Sequence, residues 1–148
     1  RDVLGSRGLG DVYKRQLLTG TPYRETEDLS WWRDLLRRVA DLGPRYPVLT
    51  GVPFGPDRLG VLALDPDTGG FFDYHTPRVH DHFHGTGDIF SAACAGAMVR
   101  GKSLPEALRL AADFTLACIQ VTCRDPNAPW YGVEFEKALH LLPGLLEG

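Results

Sequence analysis

The chain has 148 residues, 43% of them apolar and 24% charged, with a formal net charge of −3. That suits one domain and not two, excludes a wholly disordered chain, and leaves no basic footprint for nucleic acid. The longest uncharged stretch of the helix-rich region, residues 89–99, falls far short of the ~20 apolar residues that span a bilayer. Three cysteines (Cys94, Cys118 and Cys123) without CxxC spacing argue against a disulfide framework and for a reducing cytoplasm.

The chain starts on Arg1 and its sole methionine is Met98, so it reads as a processed product or a piece of a longer one. Residues 1–16 lack the layout of a signal peptide and any helix or strand periodicity. Gly5, Gly8 and Gly10 invite a phosphate-loop reading, but no strand precedes them and no apolar helix follows. The string GSRGLGDVYKRQ at residues 5–16 resembles the translated sequencing-adapter tails found in environmental gene assemblies. Residues 1–16 are therefore expected to be a non-native tail, and residues 17–148 the domain. The latter carry 12 basic and 17 acidic residues, a net charge of −5, which argues further against a polyanionic partner.

Thr26, Glu27 and Asp28 precede an apolar series at Trp31, Trp32, Leu35, Leu36 and Val39, with Gly43 and Pro44 behind it. The pattern predicts a helix with Thr26 as its cap and one core-facing stripe. Residues 47–52 form a short continuous apolar run, as expected of a parallel-type strand buried on both faces. Turns at Gly55–Pro56–Asp57 and at residues 65–70 lead into strands at 59–64 and 71–75, an antiparallel pair. Gly85, Thr86 and Gly87 then open an Ala-rich helix that runs to about Val99 and is stopped by Gly101. Ser103 and Glu106 fit a capping box, and Leu104, Ala107, Leu108, Ala111, Thr115, Cys118, Ile119 and Thr122 follow helical spacing behind it. Residues 125–129 form a loop, and a last short helix at 133–142 is expected to be closed by Pro143 and Gly144. A buried strand with too few partners suggests the C-terminal part of an α/β domain.

The stretch FHGTGDIFSAA at residues 83–93 carries the chemistry. Two glycines around Thr86 let backbone approach a ligand closely, and the following helix aims its free N–H groups and positive dipole end at the same point. Such a place stabilises anionic oxygens, including charge developing on a transferring phosphoryl group. Asp88, in the first turn, is placed to take a proton from an attacking hydroxyl. By spacing alone, the same residues also suit a plain Gly-rich loop in which Thr86 caps the helix and Asp88 complements its dipole.

Gly85-Thr86-Gly87-Asp88 followed by a small-residue helix resembles the signature of the ribokinase-like superfamily of small-molecule kinases, and within it the pyridoxal/pyridoxamine kinases. LLTGTPY at 17–23 resembles the segment just after that family's Asn-x-x-Glu magnesium and phosphate motif. VLTGV at 48–52 resembles its nucleotide-side strand, and WYGVEFE at 130–136 the start of its closing helix. The resemblance implies the C-terminal part of a three-layer α/β/α domain with a mostly parallel sheet and a β-meander. It implies ATP and Mg²⁺ as cofactors and the 5′-hydroxymethyl group of a vitamin B6 vitamer as the acceptor. It makes Asp88 the general base and the Gly85, Thr86 and Gly87 backbone the anion hole. It sets Thr50 and Gly51 by the nucleotide phosphates, and Val79 and Phe83 around adenine. For Thr50, Val79 and Phe83 the alternative is ordinary packing at a strand end or in the core. The family is often dimeric, so the resemblance extends to a homodimer of the full-length parent. The family's vitamer pocket comes mainly from an N-terminal half absent from this sequence, and Asn-x-x-Glu does not precede Leu17, so the chain alone is expected not to turn over.

Other readings stand beside this one. His80, His82 and His84, with His75 and Asp81 nearby, alternate as strand ligands of a metal would, yet lack a Cys or Glu partner at firm spacing. Cys118 and Cys123 read as small buried residues, the Trp31/Trp32 pair as packing, and Arg33, Arg37 and Arg38 as a solvated face. The runner-up enzyme is a hydroxymethylpyrimidine kinase of the same superfamily, whose members usually carry Cys where Asp88 stands. A further alternative is a non-catalytic nucleotide- or metal-binding piece that assembles with another chain.

Overall fold

A computed structural model describes residue 20 and residues 28–65, 67–79, 83–129 and 132–147. Helix α1 spans Leu29–Asp41 and is capped by Asp28, whose carboxylate accepts from the Ser30 N–H at 2.9 Å. The cap is thus two residues later than Thr26, which lies outside the described residues. Asp serves as well as Thr because either short side-chain oxygen reaches the orphan amides of the first turn. The helix ends where Gly43, at φ +104°, donates its N–H to Ala40.

Three strands follow: β1 (Val48–Pro53), β2 (Arg58–Leu64) and β3 (Phe71–Pro77), in the order β1-β2-β3. Both pairings are antiparallel, so the parallel strands expected of the sheet are not found among the described residues. The turns at 54–57 and 65–70 are too short for the crossover that a parallel neighbour needs. Asp65 builds the second turn by accepting from the Asp67 N–H and the Thr68 hydroxyl, both at 2.9 Å.

The expectation that residues 47–52 are buried on both faces also needs correction. In β1 Leu49 and Val52 are buried while Thr50 and Gly51 are exposed. The register slips between Thr50 and Val52, leaving Gly51 as a bulge at φ +70°. The doubly covered strand is β2. Its Leu62 packs with Trp32, Leu35 and Leu36 of α1 and with Leu49 and Val52 of β1. The alternate residues Val61 and Ala63 meet Leu108 on the opposite face.

That opposite face is covered by α2 (Thr86–Val99) and α3 (Leu104–Arg124). Helix α2 closes in a Schellman turn: Lys102 donates to Ala97, Gly101 to Met98, and Gly101 sits at φ +88°. The turn leads into the capping box of α3, where Glu106 Oε2 accepts from the Ser103 N–H at 2.8 Å and from its hydroxyl at 2.5 Å. The stripe Ala107, Leu108, Ala111, Phe114, Cys118 and Thr122 is buried along α3. Tyr74 of β3 donates to Asp113 at 2.8 Å and so ties the sheet to this helix.

After α3, Thr122 joins two segments. Its hydroxyl donates to the Cys118 carbonyl at 2.7 Å and accepts the Glu134 N–H at 2.9 Å. A 3₁₀ turn, Phe135–Leu141, then passes into the short helix α4, Leu142–Glu147. The helix expected at 133–142 is therefore a 3₁₀ turn, and Pro143 and Gly144 do not close it but lie within the helix that follows. Pro143 lies in the first turn of α4, where a missing N–H costs nothing. Among the described residues no helix is long and apolar enough to cross a membrane.

Candidate active site

The N-terminus of α2 is prepared by Gly85, which adopts φ +83° and ψ −3° as the N-cap residue and accepts the Ile89 N–H at 3.1 Å. A Cβ is disfavoured at that φ, which explains a glycine there. The N-cap residue itself, a glycine, has no side chain with which to cap the helix. Thr86 is its first residue rather than its cap, contrary to the plain-loop reading, because the left-handed turn falls on Gly85. The first turn of a helix directs backbone N–H groups at whatever stands before it, and here a glycine cap leaves room for a ligand to approach. Among the described residues nothing beyond the chain neighbours and the helix's own backbone lies within 4 Å of where a Cβ of Gly85 or Gly87 would project.

These residues form one wall of a cavity of about 490 Å³. Its other walls are Thr50 and Gly51 of β1, Leu59, Gly60 and Val61 of β2, and the chain leaving β3 at Thr76, Pro77, Arg78 and Val79. Phe90 of α2 and Ala112, Thr115, Leu116 and Ile119 of α3 close it. Seven of the eight residues singled out in the sequence thus share one cavity: Thr50, Gly51, Val79, Gly85, Thr86, Gly87 and Asp88. Phe83 is the exception. It packs with Phe114, Cys118 and Val133.

The cavity has a polar side and an apolar side. Thr50, Thr76, Arg78, Thr86 and Asp88 supply hydroxyls and charge, while Val79, Leu116 and Ile119 supply apolar surface. Among its lining residues Arg78 is the sole cation and Asp88 the sole carboxylate. Arg78 escaped the sequence reading because a lone arginine seven residues before the glycine loop matches no spacing rule. The apolar side escaped because Leu116 and Ile119 look like ordinary positions of an amphipathic helix.

The alternative sites fare as follows. His80, Asp81 and His82 lie outside the described residues, and among those described no three His, Cys, Asp or Glu side chains gather as metal ligands do. His75 stacks obliquely on Phe54 with ring centroids 5.0 Å apart, and its buried Nδ1 has no hydrogen-bond partner among the described residues. Cys118 is buried, but Cys123 is exposed, so only one of the pair is a core residue. Five positions along a helix rotate the second side chain well away from the first. Trp32 is in the core with Trp31 edge-on against it at 4.9 Å, and Arg37 pairs with Asp34 on the solvated face.

The family model for phosphomethylpyrimidine kinase matches residues 11–128. The chain belongs to the phosphomethylpyrimidine kinase family. Solved structures agree with that assignment. One is a protein from Bacteroides thetaiotaomicron assigned as a phosphomethylpyrimidine kinase and crystallised with pyridoxal. It is 29% identical, with a TM-score of 0.80 over 89% of this chain and 47% of its own. Pyridoxal kinase from Lactobacillus plantarum is 27% identical, with a TM-score of 0.73 over 92% of this chain and 47% of its own. Pyridoxal kinase from Leishmania donovani, in complex with ADP and pyridoxamine, shares the fold at 18% identity, with a TM-score of 0.74 over 89% of this chain and 46% of its own. The chain spans less than half the length of each. The expected ribokinase-like architecture is thus found, its meander and covering helices lying within this chain and its parallel strands not among the described residues.

Proposed function

We propose that this chain is the nucleotide-handling part of a kinase that transfers the terminal phosphoryl group of ATP to the 5′-hydroxymethyl group of pyridoxal, pyridoxamine or pyridoxine. The observation that carries this is the gathering of Thr50, Gly51 and the Gly85–Asp88 loop on one cavity, in a chain of this family. Relatives solved with pyridoxal and with ADP plus pyridoxamine support the pair of substrates.

In this reading the amides of Gly85, Thr86 and Gly87 hold the charge that develops on the transferring phosphoryl group, with the Thr86 hydroxyl beside them. Thr50 and Gly51 flank the nucleotide phosphates, and Val79 lies along adenine with Leu116 and Ile119. Phe83 supports the loop from the core. Asp88 removes the proton of the acceptor hydroxyl as its oxygen forms the new bond to phosphorus and the bond to the ADP oxygen breaks. One cavity carboxylate and no three-ligand cluster among the described residues do not make a resident Mg²⁺ site. Mg²⁺ would instead be held chiefly by the ATP phosphates and would neutralise their charge, as it commonly does. The acceptor pocket belongs to the rest of the parent, a cytoplasmic enzyme and a homodimer in this reading, and this chain alone does not turn over.

The family's name favours a second reading, a kinase for the hydroxymethylpyrimidine. Asp88 stands against it, since those relatives usually carry Cys there. Two measurements test the reading. The 148-residue chain should bind ADP at equilibrium, and failure to do so removes the nucleotide site. The parent should phosphorylate pyridoxal in preference to the hydroxymethylpyrimidine, and the reverse preference replaces the proposed acceptor.

A further inference from the structure

Arg78 has no place in the roles described so far. It stands directly after β3, on the rim of the cavity shared with Asp88 and the Gly85 loop. Its main chain is held firmly. The Arg78 N–H donates to the Asp57 carbonyl at 2.8 Å, and the preceding Pro77 is the last strand residue, in register with Arg58. The exposed Arg78 thus carries its guanidinium from a fixed point of backbone on the cavity lining. A planar fork of donors so anchored suits a phosphate better than a freely moving ammonium does.

The charge balance says why it is needed. A nucleotide polyphosphate brings several negative charges to a cavity whose lining holds one carboxylate. The N-terminal end of α2 offers about half a positive charge, which does not offset Asp88. With Arg78 counted, the lining side chains are neutral in sum and the helix end tips the balance to positive. We infer that Arg78 is a phosphate-binding residue of this cavity, its guanidinium engaging the polyphosphate of the nucleotide rather than the phosphate of the phosphorylated product. The inference rests on the nucleotide reading above and adds a residue to it.

Calorimetric titration of the 148-residue chain and its Arg78→Gln and Arg78→Lys variants tests it, with ADP, adenosine and pyridoxal 5′-phosphate as separate probes. Arg78→Gln should weaken ADP roughly tenfold to hundredfold, the worth of hydrogen bonds to a charged group, and leave adenosine within about twofold. Arg78→Lys should recover part of the loss, since charge returns without the fork. The wild-type affinity for ADP should fall more steeply with salt than that of Arg78→Gln. Equal ADP affinity in wild type and Arg78→Gln overturns the assignment while sparing the nucleotide site. Equal loss for ADP and adenosine overturns it too, because the effect is then not on phosphate. Loss confined to pyridoxal 5′-phosphate moves Arg78 to the product phosphate and overturns the nucleotide assignment. A wild-type chain that binds neither ADP nor adenosine overturns this inference together with the reading beneath it.

Discussion

Gly60 of β2 lies so close to Tyr74 of β3 that a Cβ on Gly60 would sit 2.2 Å from the Tyr74 carbonyl oxygen. The bare Cα lets the two strands close at the point where β2 also forms a wall of the cavity. It would also sit 2.8 Å from Cα and Cβ of His75, and none of these backbone or backbone-attached atoms can swing aside. Gly60→Ala is expected to destabilise the chain by about 3 kcal/mol, at the upper end of the usual overpacking cost. A urea denaturation midpoint unchanged from wild type would contradict that.

Asp88 is exposed on the same cavity, in the first turn of α2. As the proposed general base it should matter for rate and little for nucleotide affinity. In the parent enzyme, Asp88→Asn is expected to lower kcat by roughly 10²–10⁴-fold and leave ADP binding within about twofold. Retention of more than about a tenth of kcat would remove Asp88 from the proton transfer.

Acid stability follows from the caps and turns. The Ser103 hydroxyl and amide hold the Glu106 carboxyl below its ordinary value of 4.5. Lys137, then the Asn127 amide, do the same for Asp125, and the Asp67 amide and Thr68 hydroxyl do it for Asp65. Between folded and unfolded values the unfolded chain binds more protons, so stability rises with pH there. The contribution is complete above the ordinary carboxylate range and is lost as pH falls through the folded values. Glu106→Gln should flatten the drop in urea midpoint between about pH 5 and pH 3. Parallel profiles for variant and wild type would show that the capping box does not titrate.

The three thiols should separate by burial. Desolvation pushes Cys118 up to about 11 and also raises Cys94, while Cys123 is exposed. At pH 8 a thiol near 11 is thiolate in only about one molecule in a thousand. Mass-mapped alkylation of the native chain should therefore label Cys123 first and Cys118 only with unfolding. Rapid native labelling of Cys118 would place it outside the core that holds Phe114 and Val133.

Helices and turns were legible because their causes are local. The stripe from Ala107 to Thr122 repeats at three and four residues, and Ser103 with Glu106 marks its start within one turn. Gly43, Gly85 and Gly101 stand where the backbone takes positive φ. The failures have the same origin. The apolar run at 47–52 looks alike whether a strand is buried on both faces or, as β1 is, exposed at Thr50 and bulged at Gly51. Pro143 ends a helix or begins one depending on the turn before it, and here the 3₁₀ turn Phe135–Leu141 makes it a beginning.

The glycine loop of residues 85–88 was legible as a candidate site, since its two glycines, hydroxyl and carboxylate fall at the start of a helix and on the cavity wall. The cavity did not follow from any one segment. Thr50, Arg78, Asp88 and Ile119 meet only because β2 carries β1 and β3 on its two edges while α2 and α3 pack across one face. Sequence by itself determined the Ser103–Glu106 capping box, the turns and the glycine loop, which depend on backbone φ and hydrogen bonds between near neighbours. Only the tertiary structure decided which of the three described strands is central, that Phe83 packs against the Phe114 cluster, and that Arg78 lines the cavity of Asp88, because burial and side-chain proximity depend on long-range packing.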